Sequence, residues 1–209
     1  MRIFANENPE SDSPNSEQLA VDQLLPTKSS PRIITLAGDV NMQMVGYCAE
    51  QLAGFSAESD ENILVNITSG GGQLASGYAL YDLIATNPAP TLTVAYGIAG
   101  SSAALIFQAG LIRLMAPHAQ LMIHEACCQI EGDVGIEEIR RATRSIMKSQ
   151  RDVESLLAKR TKQPIAQIRK WCKETKTFSA KEAVRYGFAD AVLQPRFRPI
   201  PAPSKKASK

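Results

Sequence analysis

The chain has 209 residues, a length that suits one well-buried domain and is short for two. Lys and Arg number 23 and Asp and Glu number 21, so the net charge of +2 does not indicate a nucleic-acid partner or an acidic membrane surface. No apolar run approaches the ~18 residues of a membrane-spanning helix, and residues 1–22 lack the apolar stretch of a secretory signal. We therefore expect no membrane association and a cytoplasmic protein.

The ends of the chain differ in composition from its middle. Residues 1–31 are rich in Asn, Ser, Glu and Pro, and residues 195–209 carry several prolines and lysines. Such segments bury little apolar surface, so we expect a flexible N-terminal arm, one folded domain at 32–194 and a flexible tail. The cysteines have no metal-ligand spacing, and we expect free thiols and no metal site. They are Cys48, Cys127, Cys128 and Cys172.

Strands and helices alternate along the middle of the chain. The apolar patterns predict, in chain order, strand 34–36, helix 42–55, strand 63–67, helix 74–85, strand 91–95, helix 102–109, and strands 112–115 and 120–123. Repeated strand-helix units favour a parallel sheet with helices on both faces. The predicted fold class is therefore α/β.

Three more helices are predicted in the C-terminal part. The longest, at 136–159, interleaves basic and acidic side chains around an apolar stripe, so we interpret it as a solvated or subunit-facing helix rather than a nucleic-acid surface. We expect that one domain does not fully cover that stripe, which favours self-association. Pro164 starts the next helix, and Ser179 with Glu182 forms a capping box that starts the last. The stripe consists of Ile139, Ala142, Ile146, Val153, Leu156 and Leu157.

Three strand ends carry residues that suit acyl transfer. Ser101 lies in the turn between the strand at 91–95 and the following helix, where a hydroxyl is exposed near a helix N-terminus. A glycine-rich turn at 70–72 follows another strand, and amides of such a turn can point at a developing negative charge. His124 ends the strand at 120–123. A serine, a histidine and an amide-rich turn are the parts that acyl transfer needs.

The order of these motifs resembles a known family, the proteolytic subunit of the Clp protease (ClpP). Thr68-Ser69-Gly70-Gly71-Gly72 is similar to the family's Asn-Ser-Pro-Gly-Gly turn, and Gly97 to Ala104 resembles its Gly-x-Ala-Ala-Ser-Met-Gly-Ala elbow. Met122 to Ala126 is similar to its Met-Ile-His-Gln-Pro strand end. Phe178 to Asp190 resembles its Phe-x-Ser-Ala-x-Glu-Ala-x-x-Tyr-Gly-x-x-Asp segment. Several motifs in one order, over about residues 33–193, are more specific than any one of them.

The resemblance implies a ClpP/crotonase-like fold with a protruding handle. The handle is formed by a glycine-containing strand, with Gly132 and Gly135, and by the helix at 136–159. It also implies a serine endopeptidase that hydrolyses unfolded polypeptides inside two stacked heptameric rings fed by an AAA+ Clp unfoldase. This chain has no GxxxxGK[ST] phosphate-binding motif, so we expect ATP to be used by that partner and no cofactor here.

The resemblance also implies the role of each site residue. Ser101 is the nucleophile, His124 the general base, and the backbone amides of Gly72 and Ser102 form the oxyanion hole. Ser102 stands where the family usually has methionine, which keeps the amide and changes the side chain. Thr175 stands where the family has the aspartate of the triad, and threonine cannot stabilise an imidazolium by charge.

The third member of the triad is therefore open. Glu174 is adjacent to Thr175, and we expect it to serve as the acid if the loop shifts by one residue. In the alternative, Glu174 is a solvated or ring-contact charge, and a water molecule or a backbone carbonyl orients His124.

Three classes of function remain in view. The first is the serine peptidase subunit. The second, suggested by the missing aspartate, is an inactive or weakly active scaffold subunit of a mixed ring with a paralogous subunit. The third is another enzyme on the same fold, such as a crotonase-like acyl-CoA enzyme or a signal-peptide peptidase relative. The retained Ser101 and His124 favour the first class.

Overall fold

A computed structural model describes residues 32–127 and 132–194 of the chain. The expected arm at 1–31 and tail at 195–209 lie outside the described residues, as do residues 128–131. Within the described part, no helix is both long and apolar enough to cross a bilayer.

The described residues form seven strands and six helices. In chain order they are β1 Ile33–Ala37, α1 Met42–Glu58, β2 Ile63–Ser69, α2 Leu74–Ala85, β3 Thr91–Gly100, α3 Ser102–Phe107, β4 Ile112–Met115, β5 Gln120–Ile123, α4 Ile136–Thr161, α5 Ile165–Lys173, β6 Lys176–Ser179, α6 Ala180–Arg185 and β7 Ala191–Val192.

All of these strands belong to one sheet. Its main path is β1-β2-β3-β4-β7, and every pair along it is parallel. Strand β3 runs to residue 100 rather than 95, and this length lets it pair with β4 through residues 92–95 and with β5 through residues 98–100. The ends of β3 and β5 are thereby neighbours. The predicted parallel α/β architecture is confirmed.

The sequence patterns missed β6 and β7. These strands have four and two residues, too few for a strand period to be recognised. Strand β6 pairs with β5 in the antiparallel direction, the one exception to the parallel pairing among the described strands. The β5–β6 register ends with Ile123 opposite Lys176, so His124 and Thr175 each lie one residue beyond the paired strands.

An aromatic cluster holds β6 and its flanking helices against β5. Trp171 of α5 lies 5.1 Å from Phe178 and 5.0 Å from Tyr186, measured between ring centroids. Phe178 and Phe188 are fully buried and lie 4.8 Å apart. Such ring pairs contribute ~0.5–1.5 kcal/mol each beyond the area they bury. The cluster therefore fixes the segment before β6 beside the end of β5.

The capping box predicted at the start of α6 is confirmed. The amide of Glu182 donates to Oγ of Ser179, and the amide of Ser179 donates to the Glu182 carboxylate. The backbone hydrogen bond from Ser179 has the largest effect on the Glu182 carboxyl, followed by the side-chain hydrogen bond, and both hold its pKa below the ordinary value.

The long helix α4 is confirmed and packs on the domain mainly through its C-terminal part. Leu157 is buried there, whereas Ile136 and Ile139 near its start are 71% and 43% exposed. Gly132 and Gly135 precede the helix and lie outside any strand. The predicted handle strand is thus not seen at 132–135.

Candidate active site

Ser101 lies at the sharp turn between β3 and α3. Its φ of 53° and ψ of −123° are unusual for a residue with a side chain, a strain on the order of 1–3 kcal/mol. The amide of Ser101 donates to the carbonyl of Met122 at 2.8 Å, and its carbonyl accepts from the amides of Ala104 and Leu105. These bonds to β5 and α3 hold the strained turn in place and fix the serine at the end of β3.

His124 follows β5 directly and meets Ser101 at the neighbouring end of β3. Its Nε2 lies 2.8 Å from Oγ of Ser101, and its Nδ1 lies 2.6 Å from the carbonyl oxygen of Glu125. A carbonyl oxygen can only accept, so Nδ1 carries the proton and donates to Glu125. Nε2 then accepts from the Ser101 hydroxyl, which is the tautomer that a general base for serine needs.

The glycine-rich turn after β2 lies beside Ser101. The amide of Val40 donates to the carbonyl of Gly71, and the amide of Gln73 donates to the carbonyl of Val40. The amide of Gly72 takes no part in this pair of hydrogen bonds. The amide of Ser102 belongs to the first turn of α3, where N–H groups have no acceptor within the helix. Gly72 and Ser102, whose amides are the predicted donors of the oxyanion hole, both line one cleft with Ser101.

Only glycine fits in this turn at positions 71 and 72. Gly71 has φ +113°, and a Cβ there would lie 2.6 Å from Cβ of Ser101. Gly72 has φ +151°, and a Cβ there would lie 2.7 Å from the backbone nitrogen of Val40. Side chains rarely adopt such backbone angles. The missing side chains therefore let the turn approach the serine closely.

Gly71→Ala is expected to lower kcat for peptide hydrolysis by ~100-fold, because the new methyl group displaces Ser101 from His124 and shifts of about 1 Å cost that much. Gly70→Ala is the matched control, since a Cβ at Gly70 meets nothing within 4 Å. Steady-state kinetics of both variants against the unchanged chain measure the effect. Equal rates in the two variants would contradict the close approach of Gly71 to the serine.

A cleft of about 1120 Å³ opens beside Ser101 and His124. Helix α4 forms part of its lining and contributes both apolar and polar side chains. The apolar lining includes Leu105, Ile123, Ile146, Val153 and Leu157. The cleft is larger than the ~300–1,000 Å³ typical of small-molecule pockets.

Two cysteines also line this cleft, but the group hydrogen-bonded to Nε2 of His124 is the hydroxyl of Ser101. Cys127 is exposed, and Cys172 is buried. Burial, with the Glu154 carboxylate as a second cause, raises the pKa of the Cys172 thiol to about 11, so this thiol stays protonated at neutral pH. Cys128 lies outside the described residues. Across 32–127 and 132–194, no group of three or more His, Cys, Asp or Glu side chains is placed to hold a metal ion.

The two residues considered for the third triad position are both exposed. Glu174 is the C-cap residue that follows α5, and its carboxylate lies 3.9 Å from Nζ of Lys170. Thr175 has φ 50° and directly precedes β6, one residue beyond the pair of Lys176 with Ile123. Within the described part of the chain, no hydrogen bond joins either side chain to His124. The role of Glu174 as the triad acid therefore stays a prediction. The contact at Nδ1 of His124 favours the alternative, in which a backbone carbonyl orients the imidazole.

The sequence reasoning did not single out the carbonyl of Glu125. A backbone oxygen has no signature in a sequence, because every residue carries one. The indication in the sequence was a general one. Without the family's aspartate, Nδ1 of His124 needs another hydrogen-bond acceptor.

A serine hydroxyl bonded to a histidine at adjacent strand ends, next to an amide-rich turn, defines a site of the serine-peptidase type. The family model described as Clp protease matches residues 17–196. The chain is 34% identical over 164 residues to an ATP-dependent Clp protease proteolytic subunit from Pleurastrum terricola, an alignment that covers 77% of this chain and 83% of that relative. The chain belongs to the Clp protease family, and its parallel α/β architecture is consistent with the ClpP/crotonase-like fold.

Proposed function

We propose that this chain is an active serine endopeptidase subunit that hydrolyses peptide bonds of unfolded polypeptides. The observation that carries the proposal is the 2.8 Å contact between Nε2 of His124 and Oγ of Ser101. The cleft beside this pair leaves room for a polypeptide segment. We infer that the protein works in the cytoplasm.

The proposed mechanism uses four groups of this chain. Nε2 of His124 takes the proton of the Ser101 hydroxyl while Oγ attacks the peptide carbonyl. The backbone amides of Gly72 and Ser102 stabilise the oxyanion, and each such donor contributes ~100- to 1,000-fold in rate. His124 then returns the proton to the leaving amine, which leaves an acyl group on Ser101. A water molecule, activated by His124 in the same way, releases the second product.

The proposed partners are an AAA+ Clp unfoldase and further copies of this chain. The name of the relative from Pleurastrum terricola describes an ATP-dependent protease, and this chain lacks a phosphate-binding motif, so ATP is used by the unfoldase. Helix α4 carries apolar side chains that its own domain does not cover, including Met147, which is 54% exposed. That surface supports self-association, in our proposal into two stacked heptameric rings that enclose the sites.

The purified chain is expected to form a particle of many subunits that hydrolyses a dye-labelled unfolded protein. Size-exclusion chromatography with light scattering gives the mass, which should be a large multiple of 22.7 kDa. The hydrolytic activity should elute in the same fractions as the large particle, because sites enclosed by rings form only in the assembly. A chain that stays monomeric, or an assembled particle that cleaves no unfolded protein, would contradict this proposal.

A weakly active or inactive scaffold subunit in a mixed ring is the second candidate function. The observation that favours it is the absence, within the described residues, of a carboxylate bonded to His124. Loss of the acid from a serine triad costs ~10,000-fold in kcat. Nothing in the described site favours an acyl-CoA enzyme or a signal-peptide peptidase relative.

Thr175→Asp is expected to raise kcat by on the order of 10-fold or more, because it restores a carboxylate at the position of the family's triad aspartate, next to the strand pair that ends at Ile123. Asp also tolerates a positive φ better than a β-branched residue does. Glu174→Gln is expected to change kcat less than about 2-fold, since the Glu174 carboxylate is exposed and pairs with Lys170. Steady-state kinetics of both variants distinguish the two positions. A strong loss in Glu174→Gln would instead establish Glu174 as the third member.

A further inference from the structure

A chain of hydrogen bonds leads from α5, across α4, to the backbone directly after His124. Nε of Arg169 donates to Oε2 of Glu154 at 3.1 Å, and a second guanidinium nitrogen lies 3.0 Å from the same oxygen. Nε2 of Gln150 donates to Oε1 of Glu154 at 2.9 Å. The amide of Ala126 donates to Oε1 of Gln150 at 2.6 Å. We call Arg169, Glu154 and Gln150 the Glu154 relay.

The burial of Glu154 makes the relay unusual. Its side chain is only 4% exposed, and a buried carboxylate is costly unless both oxygens are bonded. Here Gln150 satisfies one oxygen and Arg169 satisfies the other. Gln150 and Glu154 are four residues apart on α4, so they lie on one face of the helix. Gln150 itself lines the cleft beside Ser101.

The relay ends on the peptide group that contacts His124. The carbonyl of Glu125 and the amide of Ala126 belong to the same peptide unit. The carbonyl accepts from Nδ1 of His124, and the amide donates to Gln150. Because a peptide unit is planar, fixing its N–H fixes the direction of its C=O. The orientation of the acceptor for His124 is therefore set by Gln150.

We propose that the Glu154 relay takes the place of the missing triad acid, an inference that rests on the proposed function. Glu154 holds Gln150, Gln150 holds the Glu125–Ala126 peptide unit, and its carbonyl keeps the proton of His124 on Nδ1. Hydrogen bonds in such a chain strengthen one another by only ~10–30% each, so the transmitted charge is a small effect. The larger effect is orientation. Gln150 and Glu154 are thus positioning residues that act through the backbone on His124.

The first test is kinetic. Gln150→Leu is expected to lower kcat by up to ~100-fold, because a misplaced base affects the chemical step. Its KM should stay within about 3-fold of the value for the unchanged chain. Glu154→Gln is expected to lower kcat several-fold. Asp152→Asn, an exposed charge change on the same helix, is the matched control and should leave kcat unchanged. Thr175→Asp in the Gln150→Leu background should restore much of the lost turnover, since a new carboxylate orients His124 directly.

The second test reads the imidazole itself and needs no turnover. The chain has 2 histidines, so in a His118→Gln background the ¹⁵N spectrum of labelled histidine reports His124 alone. The assembled protein should show the single tautomer with the proton on Nδ1, and Gln150→Leu should show a mixture. An unchanged tautomer in Gln150→Leu would overturn the relay, whatever its turnover. Absent hydrolysis by the unchanged chain would count against the proposed function instead.

Discussion

Replacing Ser101 with alanine is expected to abolish peptide hydrolysis, with a loss on the order of 10,000-fold or more. The substitution removes one oxygen, whose hydrogen-bond partner in the structure is Nε2 of His124. The turn is held by the backbone amide and carbonyl of residue 101, which alanine keeps. Folding and assembly should therefore survive. Hydrolysis of a dye-labelled unfolded protein, with light scattering on the same sample, measures both.

Ser155→Ala is the matched control for this variant, because Ser155 is an exposed serine of α4 outside the candidate site. It should hydrolyse the substrate at the unchanged rate. If Ser101→Ala kept the rate of that control, the nucleophile would be another group.

Replacing His124 with alanine is expected to cause a loss of similar size, because no other base lies within hydrogen-bond distance of Oγ of Ser101 among the described residues. The serine hydroxyl is a weak nucleophile until a base takes its proton. The double variant Ser101→Ala/His124→Ala should be no slower than either single variant, since residues that act as a unit are not additive. Initial rates of the three proteins measure this.

His118→Ala is the control for the second variant, since His118 is the other histidine of the chain and is exposed. Additive losses in the double variant would show that Ser101 and His124 act independently, which contradicts the 2.8 Å contact as the basis of activity.

The parts of the site that follow strand ends were predictable from the sequence. Parallel strands place their C-terminal ends at one edge of a sheet, which is where the strand ends that carry Ser101, His124 and the turn at 70–72 can meet. The apolar runs before them are strong strand signals. Their contact in the structure depends on one feature that the pattern missed, the extension of β3 to residue 100, which pairs it with β5.

The surroundings of His124 were not predictable for physical reasons. Strand β6 has 4 residues and is held by an aromatic cluster whose members come from separate elements. The Glu154 relay joins Arg169 and the backbone of Ala126 to partners 15 and 24 positions away in the sequence, and its last step is the orientation of one peptide unit. Sequence spacing indicates which residues share a helix face, such as Gln150 and Glu154. It does not indicate which backbone group they contact.

The most direct measurement of the central claim is covalent labelling of the assembled chain with a serine-reactive phosphonate, read by mass spectrometry of its peptides. The account predicts one adduct, on the peptide that contains Ser101, because the base at 2.8 Å activates that hydroxyl. The adduct should be lost in Ser101→Ala and His124→Ala and kept in His118→Ala. An assembled, unchanged chain that remains unlabelled at Ser101 would contradict the account.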